Sequence, residues 1–226
     1  MGGVVRKASE TIMVTLQLRQ ISVPPGHRVL FYEVGWSEFE AILAELGEHR
    51  ASRVAYLDQT LEIRMPLPEH EKAKVIIGDL LKILLDELEI DWEPFGSTTF
   101  KRQDMMAGIE PDDCFYIQNA ARMIGRESLD LTVDPPPDLA IEIDVTSKTQ
   151  LSAYQVLGVP EIWRYKNRRL QVYVLQSGKY VESATSPTFP DFPVIEEISR
   201  FLEMARRSGT SQALRAFRRW VRDRGN

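Results

Sequence analysis

The sequence is poor in the residues that build disulfide frameworks and thiolate metal sites. It contains a single cysteine, Cys114, and three histidines, His27, His49 and His70, that lie far apart along the 226 residues. One cysteine cannot form an internal disulfide, so a reducing cytoplasm is the simplest compartment. Three scattered histidines argue against a histidine-rich zinc enzyme, and we expect any metal ion to be held by oxygen ligands.

Long apolar runs are also missing from the sequence. No stretch approaches the roughly 18 to 20 apolar residues that a membrane helix needs. The basic residues near the N-terminus are not followed by the apolar segment of a secretion signal. We therefore expect a protein that neither spans a membrane nor is secreted. Hydrophobic residues make up 43% and charged residues 27% of the chain, which is the balance of a folded globular domain.

The net charge of −5 is distributed unevenly. Residues 201–226 contain seven arginines against Glu203 and Asp223, a net charge of +5, which leaves −10 for the first 200 residues. A helix over residues 211–224 would carry an apolar stripe beside an arginine stripe made of Arg215, Arg218, Arg219 and Arg222. This basic stripe either contacts phosphates or docks on the acidic body, and both interpretations stay open.

Hydrophobic periodicity predicts an α/β fold in which a mixed β-sheet is flanked by helices. The clearest helix runs from Glu69 to Leu88, where apolar residues recur every three or four positions. Shorter helices are predicted at 37–46 and 150–157, and strands at 54–57, 61–65, 92–100, 113–117, 139–145, 161–165 and 170–175.

The chain divides into three predicted parts. Residues 1–28 are expected to form a leader or edge strand, because apolar and polar residues alternate from Val14 to Leu18. Residues 29–200 form the main domain, and residues 201–226 form the basic C-terminal helical extension.

Acidic residues gather on the predicted strand at 139–145. Alternation places Asp138, Glu142 and Asp144 on one face and the large apolar residues on the other. Like charges two residues apart repel, and a hard divalent cation would neutralise them. Taken alone, this segment is equally consistent with a strand that has one solvated face and a chance acidic run.

Two more acids lie at the starts of predicted elements. Asp112 follows Pro111 before a strand, and Glu69 lies in the first turn of the long helix. Each signal is weak alone, since an aspartate after a proline is commonly a turn residue. Catalytic groups gathered at the ends of adjacent elements are nevertheless typical of hydrolytic metal sites.

This order of motifs carries a resemblance to a known family. A helix glutamate, a Pro-Asp pair and a Glu-x-Asp strand resemble the PD-(D/E)xK signature of the restriction-endonuclease-like superfamily. More closely, the segments MPLPEHEKAKVIIGDLL, GIEPDDCFYIQN, DPPPDLAIEIDVTS and LGVPEIWRYKNRRLQVYVLQSGKYVE are similar to the Uma family of bacterial restriction endonucleases. The resemblance implies the restriction-endonuclease-like fold, DNA cleavage with Mg²⁺ or Mn²⁺, and often a homodimer.

The resemblance also implies roles for individual residues. Glu69 matches the helix acid, Asp112 the Pro-Asp acid and Glu142 the strand acid, and these three would bind the metal and act in catalysis. The residues expected to support the site are Asp138, Asp144, His70 and Gln150.

The catalytic lysine departs from the superfamily pattern. The position two residues after the strand acid is Asp144, which leaves Lys148 or Gln150 at the equivalent place. We favour Lys148, because an ammonium group can stabilise developing phosphate charge and an amide cannot.

Two other functions compete with the nuclease. One is a catalytically degenerate dimer of nuclease fold that binds nucleic acid or protein. The other is a metal-free hydrolase with two carboxylates, such as a glycosidase, which ranks lower because no sugar-stacking platform is apparent. Arg168 and Arg169 are expected in a solvated turn, with phosphate contact as the minority interpretation.

Overall fold

The computed structural model describes residues 17–47, 50–143 and 147–225. Most of the predicted leader, including Val14, lies outside these ranges, as does the predicted end of the acidic strand at Asp144. The strands are β1 (Arg28–Phe31), β2 (Arg53–Leu57), β3 (Thr60–Arg64), β4 (Glu93–Pro94), β5 (Phe100–Arg102), β6 (Ala107–Ile109), β7 (Asp113–Tyr116), β8 (Leu139–Ile143), β9 (Glu161–Lys166), β10 (Arg169–Gln176) and β11 (Lys179–Ser183). The helices are α1 (Trp36–Leu46), α2 (Pro68–Glu87), α3 (Ala120–Met123), α4 (Lys148–Leu157), α5 (Val194–Ser208) and α6 (Thr210–Gly225).

The strands form two sheets. The first sheet has the order β1-β3-β2-β6-β5, and all its pairs are antiparallel. The second sheet has the order β11-β10-β9-β8-β7-β4, and its β8–β9 pair is parallel. The predicted mixed α/β fold with flanking helices is therefore confirmed, with its strands shared between two sheets.

Strand β8 lies at the centre of the second sheet and is buried along its whole length. Leu139, Ile141 and Ile143 belong to the apolar core around α2, while Ala140 faces a separate core that includes residues of α4. The predicted alternation is thus confirmed. The alternative of a solvated acidic face is wrong, because α4 crosses from β8 to the parallel β9 and covers that face.

Helix α2 is the central core helix that the periodicity predicts. It begins at Pro68. Backbone N–H groups in the first helical turn have no intrahelical acceptor, so a proline, which has no N–H, is well tolerated there. The apolar residues of α2 pack with β8, α5 and α6 in one core. Across the described residues, no helix is long and apolar enough to cross a membrane.

The basic C-terminal segment forms two helices. Helix α5 crosses residue 200, and α6 follows after Gly209. Ala213, Phe217 and Val221 of α6 are buried in the core with α2 and α5. On the neighbouring stripe, Arg218 Nη1 lies 2.7 Å from Glu87 Oε1 at the end of α2.

One predicted strand is wrong. Residues 92–100 form two separate short strands, β4 and β5, which belong to different sheets. Gly96 has a φ of 57°, and the Thr98 N–H bonds the Phe95 carbonyl at 3.2 Å, so a turn interrupts the run.

Candidate active site

Two buried carboxylates meet where adjacent strands of the second sheet run side by side. Asp112 directly precedes β7, and Glu142 lies on β8. The antiparallel register pairs Asp113 with Ile141, so one further step brings Asp112 beside Glu142. Only 3% of Asp112 and 1% of Glu142 is exposed. The structure therefore brings together two of the three acids predicted to bind metal.

An arginine from the first sheet bridges this pair. Arg64 is the last residue of β3, and its Nη2 lies 3.0 Å from both Asp112 Oδ1 and Glu142 Oε2. Sequence reasoning missed this residue. The available signal was the need of buried carboxylates for a cation, but nothing local in the sequence indicates that β3 supplies it.

The other two carboxylate oxygens are also fixed by hydrogen bonds. The Ile143 N–H donates to Asp112 Oδ2 at 2.8 Å, and the Tyr154 hydroxyl of α4 donates to Glu142 Oε1. All four oxygens of the pair thus accept a hydrogen bond from the protein. Both carboxylates are held in place before any ligand arrives.

Burial is the main influence on the protonation of Glu142. Burial raises the pKa of Glu142 to about 8, the Arg64 guanidinium opposes this rise, and the negative charge of Asp112 adds to it. Burial also disfavours the charged form of Arg64, but the two carboxylates outweigh it, so the pKa of the guanidinium lies above its ordinary value. Arg64 therefore stays charged, and the group carries one net negative charge only when both carboxylates are ionised.

A cavity of about 350 Å³ opens beside this group. Its lining includes Arg64, Glu62, Gln150, Ile143 and His70. Gln150 is 2% exposed, and Glu62 is 1% exposed and accepts a hydrogen bond from the Ser147 hydroxyl. Of the two candidates for the lysine position, Gln150 thus lines the cavity.

The remaining predicted residues lie around the pair at different places. Lys148 is exposed at the first residue of α4. Glu69 is exposed on α2 and lines an adjoining cavity. Asp138 precedes β8, at the end away from Glu142, and accepts bonds from the Ile117 and Asn119 N–H groups at 2.7 and 2.9 Å. Asp144 lies outside the described residues.

The adjoining cavity is basic and also measures about 350 Å³. It shares Ile143 and His70 with the first cavity, so the two open next to each other. Its cationic lining comes from α2, from the β9–β10 turn and from α5, and consists of Lys72, Lys166, Arg168 and Arg206.

The pair supplies two carboxylates, which are of the ligand type that Mg²⁺ takes in proteins. Mg²⁺ is commonly bound through one or two protein carboxylates, with water and substrate phosphates completing its shell. Among the residues that the structure describes, no group of three or more His, Cys, Asp or Glu side chains could hold a metal ion. Asp112 and Glu142 are two of the acids assigned to metal in the sequence analysis, and the structure places them together.

These features are those of an α/β protein of nuclease fold. Residues 36–205 match the Uma2 family, described as "Putative restriction endonuclease", and the chain belongs to this family. The predicted family is confirmed. A crystal structure of "a putative nuclease belonging to DUF820" from Anabaena variabilis ATCC 29413 is 17% identical, with a TM-score of 0.52 over 75% of this chain and 99% of that one. That similarity supports the fold. No curated protein matches the sequence.

Proposed function

We propose that the protein hydrolyses phosphodiester bonds in DNA and uses Mg²⁺, with Mn²⁺ as a substitute. The observation that carries this proposal is the pair of buried carboxylates, Asp112 beside β7 and Glu142 on β8. The chain also belongs to a family described as "Putative restriction endonuclease". A metal-free glycosidase has less support, because the cavity beside the pair adjoins a cluster of cations suited to phosphates.

Asp112 and Glu142 would hold the cation, which when bound supplies Lewis acidity and lowers the pKa of water. The protein's own contribution is orientation. The Ile143 N–H fixes the Asp112 carboxylate, and the Tyr154 hydroxyl fixes Glu142. Because β8 and α4 carry these donors, the acids need little rearrangement to meet a ligand.

The basic cavity supports a nucleic acid as the substrate. Lys72, Arg168 and Arg206 are exposed there, and Arg206 lies over the Tyr165 ring at 5.7 Å from the ring centroid. Phosphates are drawn to such a cluster by charge, independent of base sequence. This cavity shares Ile143 and His70 with the cavity that Arg64 lines, so a backbone lying here would pass beside the Arg64 cavity.

The catalytic lysine stays a prediction. Lys148 would reach the reacting phosphate only from an exposed position at the start of α4, whereas Gln150 faces the cavity of Arg64 and Glu62. Loss of cleavage in Lys148→Ala with an unchanged Tm would support Lys148. If Lys148→Ala cleaves DNA like the parent and Gln150→Ala loses cleavage, the role predicted for the catalytic lysine belongs to Gln150.

Cleavage of plasmid and linear DNA with Mg²⁺ or Mn²⁺ tests the proposed function. Asp112→Asn and Glu142→Gln should lower the rate by orders of magnitude, because each removes one of the two carboxylates. Asp223→Asn, an exposed acid on α6, is the control and should cut like the parent. A parent that cuts no DNA with either metal would reject the proposal.

The second candidate is a catalytically degenerate homodimer that binds nucleic acid or protein. Two observations favour it: Arg64 already neutralises part of the acidic pair, and the cavity carries Gln150 where a nuclease would use lysine. Light scattering after gel filtration tests the homodimer. DNA binding without cleavage, unaffected by Mg²⁺, would support this candidate over the nuclease.

A further inference from the structure

Arg64 occupies the space between the two carboxylates that a bound cation would share. Its Nη2 contacts the facing oxygens, Asp112 Oδ1 and Glu142 Oε2, at 3.0 Å each. A divalent ion on the same two oxygens would come within a few ångströms of the guanidinium group. Two cations at that distance in a buried site repel strongly, since little water screens them.

The hydrogen bonding of Arg64 is incomplete. One nitrogen, Nη2, makes both contacts to the acids, while Nε is buried and has no hydrogen-bond partner within the described ranges. Arg102 shows the complete arrangement in the same chain, because its Nε and Nη2 bind both oxygens of Asp104 at 2.9 and 2.8 Å. Arg64 therefore lacks the two-pronged contact that makes an arginine pair hard to separate.

Charge favours exchange over joint occupancy. Two ionised carboxylates with Arg64 carry a net charge of −1, and with a divalent cation in its place they carry none. Both cations together would leave a buried positive charge, which is costly. The cavity of about 350 Å³ gives the arginine side chain room to withdraw, and it is lined by Glu62 on the same face of β3.

We infer that Arg64 is a built-in competitor for the divalent cation, so that metal binding at Asp112 and Glu142 requires the guanidinium to leave both carboxylates. This inference rests on the proposed function, because it concerns the same two acids. Only the molecules in which Arg64 has withdrawn can bind metal. Because they are a small fraction of the total, the apparent affinity for metal is lowered by that factor. The site stays closed by its own cation until enough divalent metal is present.

Calorimetric titration with Mn²⁺ tests the competition without needing cleavage. Arg64→Met keeps an unbranched side chain and removes the charge. We expect Mn²⁺ to bind Arg64→Met at least about tenfold more tightly than it binds the parent, and to raise its Tm by a larger increment. Equal dissociation constants, or no Mn²⁺ binding by either protein, would overturn the inference.

Arg50→Met is the matched control. Arg50 forms a partly buried ion pair with Glu110, so this variant also loses an arginine from a buried carboxylate while Arg64 stays in place. Its Mn²⁺ affinity should equal that of the parent. A comparable gain in Arg50→Met would show that loss of positive charge or of stability is sufficient, and would overturn the specific role of Arg64.

A measurement on the parent covers the case in which Arg64→Met does not fold. The Arg64 Nε–H resonance should move when Mg²⁺ is added to the parent and should stay in place in Asp112→Asn. If Mg²⁺ shifts the resonance of the Ile143 amide, which bonds Asp112, but leaves the Arg64 Nε–H resonance in place, the inference is overturned. DNA cleavage by the parent, with equal metal affinity in Arg64→Met, would leave the proposed function intact. Tighter metal binding by Arg64→Met, without DNA cleavage by either protein, would support the competition by Arg64 and reject the proposed nuclease function.

Discussion

Glu161 is about as deeply buried as Glu142, and the donors it meets are neutral. It accepts bonds from the Trp163 indole at 2.6 Å, the Ser186 hydroxyl at 2.5 Å and the Thr188 hydroxyl at 2.6 Å. These contacts attach the segment before α5 to β9. The environment of Glu142 differs because a second carboxylate and a guanidinium share it. Burial alone therefore does not distinguish Glu142 from Glu161; the charged neighbours Asp112 and Arg64 do.

Buried tyrosines should make the fold sensitive to alkali. Burial raises the pKa of Tyr180 and of Tyr116, whose hydroxyls donate to the Val159 and Pro135 carbonyls at 2.7 and 2.8 Å. Above pH of about 10 the unfolded chain loses phenolic protons that the native state keeps, so stability is full below that pH and falls as pH rises towards the folded values.

Absorbance at 295 nm and circular dichroism, followed together against pH, check this expectation. Part of the phenolate signal should appear only as the fold is lost, whereas in urea all seven tyrosines should ionise in one transition. Ionisation of all seven near pH 10 with the fold intact would contradict the prediction.

At the scale of elements, α6 is attached to the body through charge as well as apolar packing. Arg222 and Arg218 hold the pKa of Glu87 below its ordinary range, with the hydrogen bond from Arg222 as the largest cause. Because the folded pKa is lowered, this contribution to stability is present at neutral pH and is lost as pH falls through the folded value. Docking on the acidic body, one of the two interpretations of the basic stripe, is thus supported for these two arginines.

Replacing both arginines should loosen α6. Arg218→Gln with Arg222→Gln is expected to lower Tm by a few degrees at pH 7 and low salt, and by less at high salt or acidic pH. Arg215→Gln with Arg219→Gln is the matched control, since both side chains are exposed, and its Tm should stay near that of the parent. Equal Tm losses in the two variants would contradict the role of Glu87.

Elements with a long or clean pattern were the most predictable from sequence. The periodicity of α2 and the alternation of β8 reflect burial on defined faces, so the sequence predicts α2 to within one residue at each end and predicts β8 from its first residue, Leu139. Strand β6 is missed because it has three residues, and β11 is missed because it is a largely exposed edge strand without a buried face. The acids of the site could be found through motif order. Arg64 could not, because its meeting with Asp112 depends on how the first sheet packs against the second.

On the scale of the whole molecule, two groups of exposed cations among the described residues are candidates for phosphate contact. One lines the basic cavity beside the acidic pair, and the other lies on the outer face of α6. Under the proposed function, a DNA backbone that reaches the acids would lie along the first group and not the second. The salt dependence of binding distinguishes them, because each phosphate that the protein binds releases counterions.

Binding of duplex DNA across a salt series, without added metal, checks this division. Changing Lys72, Arg168 and Arg206 together to Gln should flatten the slope of log affinity against log salt by about 0.9 for each phosphate that the variant no longer binds. The control changes Arg215, Arg219 and Arg224 to Gln, with the same reduction in positive charge, and should keep the parent slope. A flattened slope in the control would instead support α6 as a phosphate-binding arm.

The position of α6 in the core also affects how the chain is made. All strands of the first sheet lie between Arg28 and Ile109, so that sheet can form early in translation. The apolar face of α2 waits for α6, which begins about 120 residues after α2 ends. At roughly 5 to 20 residues per second, this interval lasts about 6 to 25 seconds. During that time the nascent chain exposes the part of the α2 surface that Phe217 and Val221 later cover. We expect chaperones that recognise apolar segments to bind this surface.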